Sequence, residues 1–245
     1  MRRLLAFLGM ALFLAGCGTP VGIPLAAGDA GRLAAMPPAL PAVGATAVYR
    51  VINAYNGEAQ GEIHYRIEQS SGGRVVAAVI ANHPYAGPPH TEIYTPEGNW
   101  VRHPLLNHDY PVDYLFAPAF PAYPFPLDAG KSWSQRLDAT SMATGRPRSM
   151  RVYGEVAGSA RVSTPAGTFD TIKIVRTVYS GDAGTFVSQT VTTETDWYAP
   201  ALGRAVRAER RSHWLDASLS AGRGSQPIRG DWSVFELVSY TPAVK

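Results

Sequence analysis

The sequence predicts a mainly β protein: a single antiparallel, strongly curved sheet or open barrel of about ten strands, with little helix beyond an N-terminal signal. Three observations lead there. Val, Thr, Tyr, Gly and Pro are common in the chain while Leu is sparse outside the N-terminus, a composition that suits pleated, half-buried strands. Runs of alternating apolar and polar residues recur at short intervals, separated by Gly, Pro, Ser and Asn. At 245 residues with 46% hydrophobic content, the chain is long enough for one sizeable core.

The N-terminus carries the most specific signal. Arg2 and Arg3 precede an apolar run of 11 residues, Leu4–Leu14. A membrane span needs about 20 residues, so this run suits a secretory signal instead. It ends in Leu14-Ala15-Gly16-Cys17, which resembles the bacterial lipobox. Small residues at 15 and 16 fit a signal peptidase, and the Cys17 thiol would take a diacylglyceryl group. The expected organisation is a signal peptide at 1–16, a lipidated tether at 17–43 and a β domain at 44–245. The absence of Asp after Cys17 points to the outer membrane, facing the periplasm, in a Gram-negative host. That expectation follows the sorting rule known for lipoproteins. Cys17 is the chain's one cysteine, so an oxidising compartment adds no disulfide to the fold.

The formal charge of +3 overstates the mature protein. Two of the 22 Lys and Arg lie in the signal, leaving 20 against 19 acids. Near-neutrality and an envelope address both argue against nucleic acid as a partner.

Gly18–Val43 is rich in Gly, Ala and Pro and reads as a tether, with one possible helical turn at Leu33–Met36. A free linker of 26 residues would reach on the order of 30 Å. Thr46–Tyr55 then begins the strands. In Gln60–Gln69, Ile63, Tyr65 and Ile67 alternate with Glu62, His64, Arg66 and Glu68, the period of a strand with one wet face. Arg74–Ala81 returns after a Ser-Ser-Gly-Gly turn and reads as a more fully buried strand. Thr91–Thr95 and Asn99–Arg102 form a short hairpin around Pro96-Glu97-Gly98.

Pro104–Pro126 breaks the pattern. Tyr110, Tyr114, Phe116, Phe120, Tyr123 and Phe125 are interleaved with prolines, at a density that argues against a regular helix or a central strand. It reads as a long loop, with a short turn of helix possible at Val112–Phe116. Its six aromatics are the candidates for the rim of an apolar groove.

Lys131–Ala139 and Ser149–Ser163 continue the sheet, with Gly154 and Gly158 suggesting bulges. Pro165-Ala-Gly167 is a tight turn with Phe169 close behind. Thr168–Tyr179 and Thr185–Tyr198 form long strands that end in the corner Trp197-Tyr198-Ala-Pro200-Ala-Leu-Gly203. Trp197 and Tyr198 supply buried area; Pro200 and Gly203 end one strand and begin the next. Gly203–Trp214 carries Arg204, Arg207, Arg210 and Arg211 and reads as a solvated sheet face. Asp216–Gly230 is a polar loop, and Trp232–Tyr240 is the last strand.

No catalytic set emerges. There is no G-x-S-x-G, and Gly130-Lys131-Ser132 lacks both the upstream glycine and the helix of a phosphate-binding loop. His83, His90, His103 and His108 fall within 26 residues near Glu92, Asp109 and Asp113, but their spacings do not match the tight pairs of zinc sites. No metal or cofactor is expected. Glu194 and Asp196 share a strand face at glycosidase-like separation, as alternating polar residues do by default.

Val162-Ser-Thr-Pro-Ala-Gly-Thr-Phe169, Ile172-x-Ile174 and Asp196-Trp-Tyr-Ala-Pro-Ala-Leu-Gly-Arg204, with Pro126-Leu-x-x-Gly-Lys-Ser-Trp133 before them, resemble a signature of bacterial periplasmic β-sheet proteins grouped as TapB-like. The resemblance covers roughly residues 126–214. It implies a periplasmic β fold of unassigned function and brings no catalytic residues. A tethered, curved sheet is also similar at the level of fold to the lipoprotein carriers of the LolA/LolB kind. Together these lead to an expectation of a non-enzymatic envelope lipoprotein, membrane-bound through its N-terminal lipid and binding an apolar ligand or a protein partner. The alternatives are a hydrolase of envelope substrates and a structural subunit of an envelope complex.

Overall fold

The computed structural model describes residues 21–82, 87–106, 111–181, 189–215 and 227–243. Its strands are β1 (Ile23–Pro24), β2 (Thr46–Asn53), β3 (Ala59–Ser71), β4 (Arg74–Ala81), β5 (His90–Tyr94), β6 (Trp100–Leu106), β7 (Pro111–Phe120), β8 (Ser132–Ser141), β9 (Pro147–Thr164), β10 (Gly167–Tyr179), β11 (Val191–Ala199), β12 (Arg204–Leu215) and β13 (Pro227–Thr241). One helix, α1 (Ala27–Ala34), and a 3-10 turn at Pro200–Leu202 complete the described elements. From β2 to β12, consecutive strands pair antiparallel with their successors. β13 then pairs with β2, which closes twelve strands into a barrel. The mainly β, helix-poor fold is as the sequence predicts, and the sheet closes completely.

The alternation read from the sequence sorts the two faces. In β2, Ala47, Tyr49 and Val51 are buried, and in β3 Ile67 is buried while His64, Arg66 and Glu68 are exposed. β4 alternates too: Val75, Ala77 and Val79 point inward, whereas Ile80 is 57% exposed. A more fully buried strand was expected here; full burial is confined to the inward row. The outward row of β9 includes exposed Arg151, Glu155 and Arg161, which is not the apolar band of a lipid-facing barrel.

Two segments expected to be irregular are ordered. The proline-aromatic stretch supplies β7, where a loop with a turn of helix was expected. Pro111 begins the strand, and Pro118 falls within residues 116–119, which bulge out between the Arg102–Leu115 and Trp100–Phe120 pairs. Prolines are tolerated at such positions because no ladder N–H is required of them. The expected tether also lies partly on the barrel: β1 pairs with β9, and Leu33 of α1 is buried in the main core. The roughly 30 Å reach of a free linker therefore does not apply to residues 21–43.

A twelve-strand barrel is wider than its own side chains fill, since about eight strands bring the walls together. Part of the extra space is taken by the connection from β7 to β8, which packs inward. Phe120, Ala122 and Leu127 have no exposure and join Leu137, Val152, Ile174 and Tyr198 in the main core. The remaining interior, towards β2–β6, is a cavity.

Candidate ligand cavity

The cavity has a volume of about 230 Å³. Ile63, Ile67, Val75, Ala77 and Val79 form its apolar wall, contributed by β3 and β4. Tyr49, Tyr65, Tyr94 and Trp100 add aromatic surface. This composition follows from the period of two: every second residue of a barrel strand faces the interior.

Among the six candidate aromatics, Tyr123 lines the cavity. Tyr114, Phe116 and Phe120 are at most 5% exposed and fill the core beside it, with Phe120 stacked 4.2 Å from Trp100. Phe125 packs on Tyr198 at 5.8 Å, and Tyr110 lies outside the described residues. The corner motif occupies turns and packing positions. Pro165 lies in the two-residue connection that Gly167 closes with φ at 135°, and Phe169 packs with the cluster around Trp197. Trp197 is flanked by Lys173 and Arg207, each 5.7 Å from its ring. Tyr198 lies 4.5 Å from Tyr123, Pro200 opens the 3-10 turn, and Gly203 ends it in the left-handed conformation at φ 64°. Cys17 lies outside the described residues.

The polar groups of the interior were not anticipated. Arg176 has no exposure, since its position on β10 shares the inward face of Ile172, Ile174 and Val178. Its Nε donates to Glu194 at 2.9 Å, Nη2 to Asp196 at 2.7 Å and Nη1 to the Ala122 carbonyl at 3.0 Å. Arg210 reaches the same acids, 2.7 Å from Asp196 and 3.5 Å from Glu194, while the Tyr123 hydroxyl donates to Asp196 at 2.9 Å. Burial alone would raise the Asp196 pKa, but Arg176 and Arg210 outweigh it and hold the carboxyl well below the usual range. A carboxyl so held is already ionised near neutrality, so Asp196 has no proton to give as a glycosidase acid. The two arginines and two carboxylates neutralise one another.

A second cluster centres on Glu92, 1% exposed, between His90 and His103. Each histidine sets Nδ1 against a backbone carbonyl, Pro88 for His90 at 3.2 Å and Pro104 for His103 at 2.7 Å. Carbonyls only accept, so Nδ1 carries a proton, and a ring that also bonds the carboxylate through Nε2 must carry a second one there. Each Nε2 then faces the Glu92 carboxylate, at 3.3 Å and 3.6 Å, and Tyr94 donates to the same group. For His90 the hydrogen bond to Glu92 outweighs burial and raises its pKa. For Glu92, burial raises the pKa, but His103, His90 and Tyr94 together bring it below its ordinary value. Two histidines that looked scattered in sequence thus meet on one carboxylate. His83 and His108 lie outside the described residues, and among those described no three His, Cys, Asp or Glu side chains form a metal-binding group.

Arg204 is the third feature. It opens β12 and lines the cavity, with its guanidinium carbon 5.2 Å from the Tyr49 ring and 5.3 Å from the Tyr65 ring. Arg204 and Arg210 therefore correct the expectation of a solvated arginine face. Arg211 does remain exposed.

Three solved structures are similar to this chain at low identity. An inferred exported protein of Bacteroides fragilis with a YmcC-like fold is 14% identical, with 90% of this chain and 99% of that chain covered at a TM-score of 0.50. An inferred lipoprotein of Parabacteroides distasonis is 15% identical over 82% of this chain and 97% of that one, at a TM-score of 0.48. The hypothetical lipoprotein YmcC of Escherichia coli is 12% identical over 88% and 89%, at 0.43. No family model matches the chain, so the TapB-like resemblance finds no support there, and no curated protein matches. At such identity the likeness concerns the fold alone. Among the described residues no helix is long and apolar enough to cross a membrane.

Proposed function

We propose that this protein is a non-enzymatic envelope lipoprotein that holds an apolar ligand inside its barrel. In this reading Cys17 carries acyl chains that fix it to the outer membrane, facing the periplasm. The observation that carries the ligand reading is the cavity itself. Closing twelve strands leaves about 230 Å³ walled by Ile63, Ile67, Val75, Ala77 and Val79. Such concave, mainly apolar space with a few fixed polar groups is the usual form of a small-molecule site. The lipobox supports the address, and the exported designation of the Bacteroides fragilis protein is in keeping with it.

The test is native mass spectrometry of full-length protein extracted from membranes in mild detergent. A bound lipid-sized mass, lost on organic extraction, is the expected result. Consistently empty protein would count against the reading.

A further inference from the structure

The charged side chains inside the barrel are unevenly paired. Arg176 and Arg210 are matched by Glu194 and Asp196. Glu92 is contacted by His90 and His103. Among the described residues, no carboxylate forms an ion pair with Arg204. Its Nε is buried without a hydrogen-bond partner, and its polar neighbour is the neutral Tyr49 hydroxyl. A guanidinium stays charged at any ordinary pH. Leaving it in an apolar cavity without a counter-ion is costly, although the faces of Tyr49 and Tyr65 recover part of that cost.

The same cavity sets this cation beside the apolar wall of Ile63, Ile67, Val75 and Val79. We infer that Arg204 is the headgroup site for an amphiphile with one anionic group, a carboxylate or phosphate, whose apolar part lies along that wall. The inference rests on the reading of the cavity as an apolar-ligand site. The guanidinium donates paired N–H bonds to the anion. Tyr49 and Tyr65, edge-on to one another at 5.6 Å, hold the guanidinium in place.

The test uses delipidated full-length protein and calorimetric titration with decanoate, decanol and inorganic phosphate. Decanoate is expected to bind about ten- to a hundredfold more tightly than decanol, the range for a hydrogen bond to a charged group. Arg204→Met is expected to remove that preference while decanol binding stays unchanged, and Arg204→Lys to keep part of it. Equal binding of decanoate and decanol to the unaltered protein would overturn the headgroup site while leaving the apolar-ligand reading intact. If neither binds, both fall. Phosphate that competes as strongly as decanoate would reduce the site to one for a free anion, and the amphiphile would be excluded. The comparison on unaltered protein decides the matter even where Arg204→Met fails to fold, and thermal melting of both variants identifies that case.

Discussion

Arg176 and Asp196 form a 2.7 Å ion pair in which neither side chain has any exposure to solvent. They lie on neighbouring strands, β10 and β11, two positions apart in register, because Ile174 pairs with Asp196. Arg176→Met would leave Glu194 and Asp196 to Arg210 alone. Removing one partner of a buried pair costs about 3–5 kcal/mol. Urea denaturation should show a loss of that size, and a loss below about 1 kcal/mol would mean that the cluster relaxes without it.

The His90–Glu92 contact should make stability depend on pH in a defined window. The folded-state pKa of His90 is raised above 6.5, so its contribution is complete below 6.5 and disappears as pH rises through the raised value. Glu92 is lowered below 4.5, so its contribution is complete above 4.5 and is lost as pH falls through the lowered value. Melting temperature should therefore be highest between those two ordinary values as far as this pair is concerned, and decline on either side of them as pH passes the shifted values. His90→Gln should flatten the alkaline decline; an unchanged profile would remove His90 as its cause.

Gly203 holds a left-handed conformation that an L-residue enters at a cost of about 1–2 kcal/mol. A Cβ there would also overlap the Ala39 carbonyl oxygen. Gly203→Ala should destabilise the protein by at least that amount and expose residues 36–43 to proteolysis. Wild-type stability with an unchanged digestion pattern would contradict the docking of that segment.

Phe120 has no exposure and stacks on Trp100 at 4.2 Å. Phe120→Ala should cost about 3–5 kcal/mol in chemical denaturation. A small loss would show that the β7–β8 connection is not an integral part of the core.

Cys17→Ser should abolish acyl labelling and release the protein from membranes. Unchanged membrane association would sink the lipid anchor.

Much of the wall was legible, because period-two alternation directly encodes which side chains face inward. The limits of β4 and the hairpin of β5 and β6 follow from runs and turn residues. The cavity's polar groups were not legible. Arg176, Arg204 and Arg210 look like the charges of any wet strand, and only parity with Ile174 or Ala208 hinted at an inward direction. His90, Glu92 and His103 sit on two adjacent strands, so their meeting depends on pairing register, which the sequence does not display.

The sequence by itself determined the β class and the positions of most strands, since these depend on local composition and period. The tertiary structure decided closure, and with it the cavity. β7, read from the sequence as a loop, is the strand that joins β6 to β8. Its prolines read as breaks because their tolerance depends on neighbours: a bulge opposite Trp100–Arg102 makes room for Pro118. Once that strand is in place the sheet has no open edge, and twelve strands enclose more space than their side chains fill. That space takes in surface-like arginines, Arg176 fully buried and Arg204 and Arg210 half-buried, and leaves Arg204 without an ion-pair partner among the described residues.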